Sequence, residues 1–224
     1  PNSNRIFFLM SRAPGEPLDS KWEFLGENEK SSIREQLDTI VGYFRFLPAP
    51  VSDETQAVLG GGSPRRCKDA RREVRVAQGC ISNERQFNEF LTSHPHRAQA
   101  GSISMIKSYL TDDHKVFLAH GDFHPRNIMV LTRLNDPVAD GALPKESLCT
   151  TNGTVNQSTT RITITGILDW EMCGWYPEYW EYVKALNTIT PGSDLGDWWA
   201  YLPQKIGIWP REHAVDLMLS RWHG

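Results

Sequence analysis

Two short segments hold residues whose types and spacing could do chemistry. The first is His120-Gly-Asp-Phe-His-Pro-Arg-Asn127, which runs on into the apolar Ile128-Met-Val130. The second is Ile167-Leu-Asp-Trp-Glu171, followed by Met-Cys-Gly174. Asp122 stands five residues before Asn127, in a loop between short apolar runs, and Asp169 stands at the end of a strand-like run. Phosphoryl transfer asks for few protein groups. It needs a carboxylate that orients the hydroxyl or accepts its proton, and oxygen ligands for Mg²⁺ on the nucleotide phosphates. Carboxylate and amide oxygens suit that hard cation. Singly, an Asp or Asn in a loop is an ordinary turn or cap residue. Jointly, the order and spacing of Asp122, Asn127 and Asp169 point to chemistry.

A second chemistry fits part of the first segment. His120-x-Asp-x-His124 is a pattern that could bind zinc in a hydrolase. No further His or Cys group is placed to complete such a set, and Asn127 and Asp169 would be left unexplained.

The elements that must position these residues are legible from periodicity and punctuation. Val116–Ala119 and Asn127–Leu131 read as short strands on either side of the first segment, and Arg161–Leu168 alternates as a strand leading into the second. Between them, Thr132–Arg161 is polar, rich in Gly, Asn, Ser and Thr, and reads as a long mobile loop over 132–161. Ile33, Leu37, Ile40, Val41 and Phe44 share one helix face over Glu29–Leu47, ended by Pro48 and Pro50. Asn83 caps a predicted helix through Leu91, with Phe87, Phe90 and Leu91 inward. Ser102–Leu110 is a second short helix. Pro177 and Pro210 introduce helices over Glu178–Ile189 and Arg211–Trp222. Near the start, Arg5–Met10 is β-rich and Ala13–Pro17 breaks it.

Residues 51–82 read as irregular. Gly60-Gly-Gly62 is a flexible loop and a weak sign of phosphate binding, because no Lys-Ser/Thr follows at P-loop spacing. Pro64–Arg75 carries six basic residues and reads as a solvated loop rather than an anion patch.

Composition narrows the function classes. With 224 residues, 39% hydrophobic and 23% charged, the chain can build an ordinary core. A net charge of −3 argues against a strongly basic nucleic-acid binder. No stretch approaches the roughly 20 apolar residues of a membrane span. The four cysteines, Cys67, Cys80, Cys149 and Cys173, form no Cys-x-x-Cys pair and read as reduced thiols of a cytoplasmic protein. The first residue is Pro1, so the sequence reads as a piece of a longer product or a processed one.

His-Gly-Asp-x-His-Pro-x-Asn-Ile followed by Ile-Leu-Asp-Trp-Glu resembles the signature pair of the aminoglycoside phosphotransferase and choline kinase group, with its Asp-x-x-x-x-Asn kinase catalytic-loop spacing. The run Gly174-Trp-Tyr-Pro-Glu-Tyr-Trp-Glu181 is similar to versions common in fungal members. The resemblance implies an α+β, protein-kinase-like C-terminal lobe, mainly helical with small β-hairpins. Asp122 would be the catalytic base, with Asn127 and Asp169 as Mg²⁺ ligands. His120 would brace the loop, while His124 would touch substrate or cap. Residues 1–14 would form the hinge and linker and 15–224 the lobe. The backbone of Ser11 and Ala13 would meet the adenine edge, with Met10 beside the ring and Met129 and Leu168 beneath it. ATP or GTP with Mg²⁺ would be the cofactor, and the substrate a small molecule bearing a hydroxyl.

The family's smaller lobe, with its phosphate-covering loop and strand Lys, does not precede the hinge in this sequence. The expectation is poor transfer by the 224 residues alone, with apolar surface left open to self-association. A truncated relative that binds a ligand or partner without transfer is the alternative. Candidate acids for a cationic substrate are Glu171, Glu178 and Asp194, the last two read as solvated surface.

Overall fold

A computed structural model describes residues 9–49, 59–71, 73–95, 98–134, 160–187 and 195–223. In chain order the elements are β1 (Glu16–Pro17), α1 (Asp19–Trp22), α2 (Glu27–Phe46), β2 (Lys68–Ala70), β3 (Val74–Val76), α3 (Glu84–Thr92), α4 (Ala100–Lys107), β4 (Val116–Ala119), β5 (Ile128–Leu134), β6 (Thr160–Ile167), β7 (Gly174–Pro177), α5 (Trp180–Asn187) and α6 (Pro210–His223). The fold is mixed α and β, with three small antiparallel sheets among the described residues, ordered β1-β5-β6, β2-β3 and β4-β7. Among the described residues no helix is long and apolar enough to cross a membrane.

Among the described residues, two buried apolar clusters lie beneath these elements. One gathers Phe87, Tyr176, Trp180, Val183 and Leu219. The other gathers Trp22, Ile33, Leu37, Phe123, Ile128 and Trp198. Ala119 is buried in the first and Phe123 in the second, so the segment carrying Asp122 runs from one core to the other.

Helix α2 forms where the periodicity places it. Glu29 accepts a hydrogen bond from the Gly26 backbone N–H (2.9 Å) and, with Glu27, puts negative charge at the helix N-terminus. Ile33, Leu37 and Val41 are buried, whereas Ile40 and Phe44 lie at the edge of the stripe. The same helix finishes the sheet. Among the described residues β6 is an edge strand, and the Gln36 amide donates to Ile162 O (3.0 Å) and accepts from Ile164 N (2.9 Å). One side chain thereby satisfies a donor and an acceptor that an edge leaves unmade. Helix α3 starts at Asn83 as expected, its side chain accepting from Gln86 N at 3.0 Å.

Three expectations are corrected. Glu16–Pro17 is not merely a break: it pairs with Val130 and Met129 as a short strand, and an edge position tolerates the missing N–H of Pro17. Gly60 and Gly61 are not a flexible loop. Gly60 exchanges backbone hydrogen bonds with Trp175, and Gly61 with Arg66. A Cβ at Gly61 would lie 2.0 Å from Cys173 O, so only glycine permits this backbone approach.

The basic stretch is not a solvated loop. It contains the β2–β3 hairpin, and Asp69 at its centre is fully buried. Asp69 takes Arg71 Nε at 2.7 Å, Arg75 Nη1 at 3.2 Å and Lys184 Nζ at 2.7 Å. Arg71 also donates to Asp216 (2.6 Å) and Ser220 (2.5 Å), and Asn187 closes on Asp216. The hairpin is thus clamped to α5 and α6 by charges. Hydrophobic patterning could not register this, because burial of each charge depends on partners remote in sequence.

Asp69→Ala would take the shared carboxylate from Arg71, Arg75 and Lys184 and leave Asp216 as the remaining buried acid beside Arg71 and Lys184. The expected cost is on the order of 3–5 kcal/mol, measured by urea unfolding. Arg85→Ala, at the exposed Arg85–Asp112 pair, is expected to stay within about 0.5 kcal/mol of the parent.

Candidate functional site

The site begins where β4 ends. Ala119 pairs with Gly174 of β7, and the chain then turns sharply through Gly121, at φ +81°. A Cβ at Gly121 would lie 2.7 Å from Met172 O, so the turn needs glycine. The N–H groups of His120 and Gly121 both point at the buried Glu181 carboxylate of α5, Gly121 at 3.2 Å and His120 closer.

His120 is fully buried, and its ring spans the site. Nδ1 accepts from Asp122 N (3.3 Å), so Nε2 carries the proton and donates to Leu168 O (2.8 Å). Burial depresses its pKa and keeps it neutral, with backbone and carboxylate neighbours opposing. Both ring nitrogens are committed, which leaves none for zinc. His124 caps the turn Pro125–Asn127 by accepting from Arg126 N (3.0 Å), and burial lowers its pKa too. Capping is therefore what the geometry provides for His124.

Asp122 and Asn127 are brought together. Asn127 Nδ2 donates to Asp122 Oδ2 and to the Asp122 carbonyl, both at 2.9 Å. With its nitrogen so used, Asn127 has only Oδ1 to offer a metal. Arg126 Nη2 donates to both Asp122 oxygens, at 3.0 and 2.8 Å.

The second segment is sewn to the first by backbone. Leu168 N donates to Asn127 O (2.7 Å), and Leu168 O receives His120 Nε2. The next residue, Asp169, is exposed and sits in the left-handed region at φ 61°, ψ 63°. A non-glycine residue held there is strained, and such strain collects at functional positions. Trp170 steadies the turn. Its indole N–H donates to Ile167 O (2.8 Å), and its ring meets His120 edge-on at 4.7 Å and Phe44 at 5.3 Å. Asn127 Oδ1 and the Asp169 carboxylate are both oxygen donors, the kind that hard divalent cations prefer. Among the described residues, no three His, Cys, Asp or Glu groups gather as a metal site by themselves.

The residues expected at the nucleotide fall on β5, just after β6 and on the chain before β1. Ala13 packs on Gly166, which pairs with Met129 across the sheet, and Thr165 Oγ1 donates to Pro14 O (2.5 Å). A β-bulge between Met129 and Val130 bends the strand here. Leu168 is half-buried, while Met10 and Ser11 lie on exposed irregular chain and do not continue a strand. Residues 1–8 of the hinge run, most of the 132–161 loop, Cys149 and Asp194 lie outside the described residues. Glu178 is not solvated surface: it is half-buried, and Oε1 accepts from Lys115 N at 3.1 Å. Glu171 is exposed, and its carbonyl accepts from Lys68 Nζ at 2.5 Å.

Glu181 is the residue that sequence reasoning noticed without assigning. A usable signal was its neighbour Lys184, four residues after Trp180 and so on the apolar face of α5, which marks this helix as one that buries charge. No family model, no curated protein and no solved structure matches this chain.

Burial pushes Glu181 up to about 7, against the two backbone donors and the nearby Arg45, which favour the ionised form. Because the folded pKa exceeds the ordinary value near 4.5, the folded state holds its proton longer than the unfolded chain. The Glu181 contribution to stability is therefore greatest below about pH 4.5 and is lost as pH rises towards 7. Relative to Glu181→Gln, the parent should lose up to about 3 kcal/mol across that window in urea titrations at successive pH values. A difference that is flat with pH would refute the assignment.

Proposed function

We propose that the chain is the catalytic, protein-kinase-like lobe of a phosphotransferase, moving the γ-phosphate of ATP or GTP to a hydroxyl of a small molecule. The observation that carries this reading is the stitched pair of segments. Asp122 and Asn127 share hydrogen bonds, and the Leu168 backbone ties their loop to the strained turn bearing Asp169.

In this reading Asp122 is the base. It is partly exposed, held in one orientation by Asn127, and accepts the substrate hydroxyl proton. The hydroxyl oxygen bonds to the γ-phosphorus as the bond to the bridging oxygen breaks, releasing the nucleoside diphosphate. Asn127 Oδ1 and Asp169 would hold Mg²⁺, which when bound neutralises charge on the phosphates. His120 stays neutral and fixes the loop rather than moving a proton. In this reading Ala13, Met129 and Leu168 would line the adenine side, with the exposed Met10 and Ser11 at its open edge.

That open edge, with Met10 71% exposed, also favours a second reading, in which the chain binds a ligand without transferring phosphate. Calorimetry of Mg²⁺·ATP separates the two when joined to a transfer assay. Binding should require Mg²⁺ and be lost in Asp169→Ala. Asp122→Asn should keep nucleotide affinity within about threefold and lower any transfer by on the order of 10²–10⁴. Binding that ignores both Mg²⁺ and Asp169 would sink the phosphotransferase reading. Binding of the expected kind without transfer would select the second.

A further inference from the structure

We infer that Arg126 reads the acceptor substrate, and that this acceptor carries an oxyanion, a carboxylate or phosphate ester, close to the hydroxyl that is phosphorylated. The inference rests on the phosphotransferase reading of Asp122. It starts from how the Asp122 carboxylate is occupied. Among the described contacts, Oδ2 takes two donors, Asn127 Nδ2 at 2.9 Å and Arg126 Nη2 at 2.8 Å. Oδ1 takes one, Arg126 Nη2 at 3.0 Å. A carboxylate oxygen has room for about two such donors. Oδ1 is therefore the oxygen that an incoming hydroxyl can reach.

A hydroxyl donating to Oδ1 at about 2.7 Å stands beside the guanidinium that already holds that oxygen. Only Nη2 of Arg126 is used on Asp122. The guanidinium has five N–H groups, and the three on Nε and Nη1 are not spent there. The Arg126 side chain is 52% exposed, against 18% for Asp122, so the guanidinium is more open to solvent than the base it holds. A planar fork with a free edge matches a carboxylate or phosphate in bidentate fashion. An ammonium group next to the hydroxyl would meet a like charge at the same place. Lys68, whose Nζ rests on Glu171 O, adds positive charge beside the metal-binding segment. Glu171 is an exposed acid of that segment, outside the proposed metal ligands, that could instead favour a cation, and so it supplies the opposing variant.

The test titrates four acceptor probes into the full chain by calorimetry, with and without Mg²⁺ and a non-hydrolysable ATP analogue. Glycerate and glycerol 3-phosphate are the anions, glycerol is neutral and choline is cationic. At least one anion should bind at least about tenfold more tightly than glycerol, and choline no more tightly than glycerol. Arg126→Ala should bring the anions to within about threefold of glycerol. Arg126→Lys should retain part of the preference, and Glu171→Gln should leave the order unchanged. Tighter glycerate points to a hydroxy acid, and tighter glycerol 3-phosphate to a phosphate ester. Choline binding as tightly as the anions, a preference that survives Arg126→Ala, or no binding of either anion would each overturn the inference. Failure of the phosphotransferase reading shows elsewhere, in Mg²⁺·ATP binding and its dependence on Asp169.

Discussion

A buried carboxylate shapes the loop that holds Asp122. Glu181 receives the N–H groups of His120 and Gly121, two donors that a tight turn beneath a strand end would otherwise leave without partners. A buried amide without an acceptor costs on the order of 1–3 kcal/mol, and two in succession would let the loop open to water. With the turn held, His120 faces inward, its ring reaches Leu168, and the two segments become one unit.

Helix α5 connects this unit to the rest of the fold. Glu181 and Lys184 leave the same helix towards different partners. The first holds the loop. The second enters the network of Asp69, Arg71 and Asp216 that clamps the β2–β3 hairpin against α6. The hairpin returns to the site, since Lys68 at its edge reaches the Glu171 carbonyl. Buried charges are costly unless paired, so these elements hold one another in place. Neutralising one member is felt through the others.

The side chains that would do chemistry are treated differently from the backbone beneath them. His120, Gly121 and Asn127 are buried, whereas Asp122 is partly exposed and Asp169 and Arg126 are exposed. Only Asp169 among these side-chain carriers combines exposure with a left-handed backbone. A fixed frame carrying reachable, charged groups is what positioning of a substrate requires.

Much of this was readable in the sequence. Period and punctuation marked α2, α3, β4 and β6, because each buries an apolar stripe through residues close in the chain. The spacing of Asp122, Asn127 and Asp169 marked the candidate site, because side-chain type and order are local properties. Tertiary structure alone decided the rest. The β2–β3 hairpin looked like solvated charge until Lys184 came to Asp69, and Asp216 to Arg71, from more than a hundred residues away. Glu181, Arg126 and the Leu168 backbone gained their places in the same way. Whether a polar group is a solvated surface, a buried brace or a reader of substrate depends on which partner lies within about 3 Å, and linear order does not contain that distance.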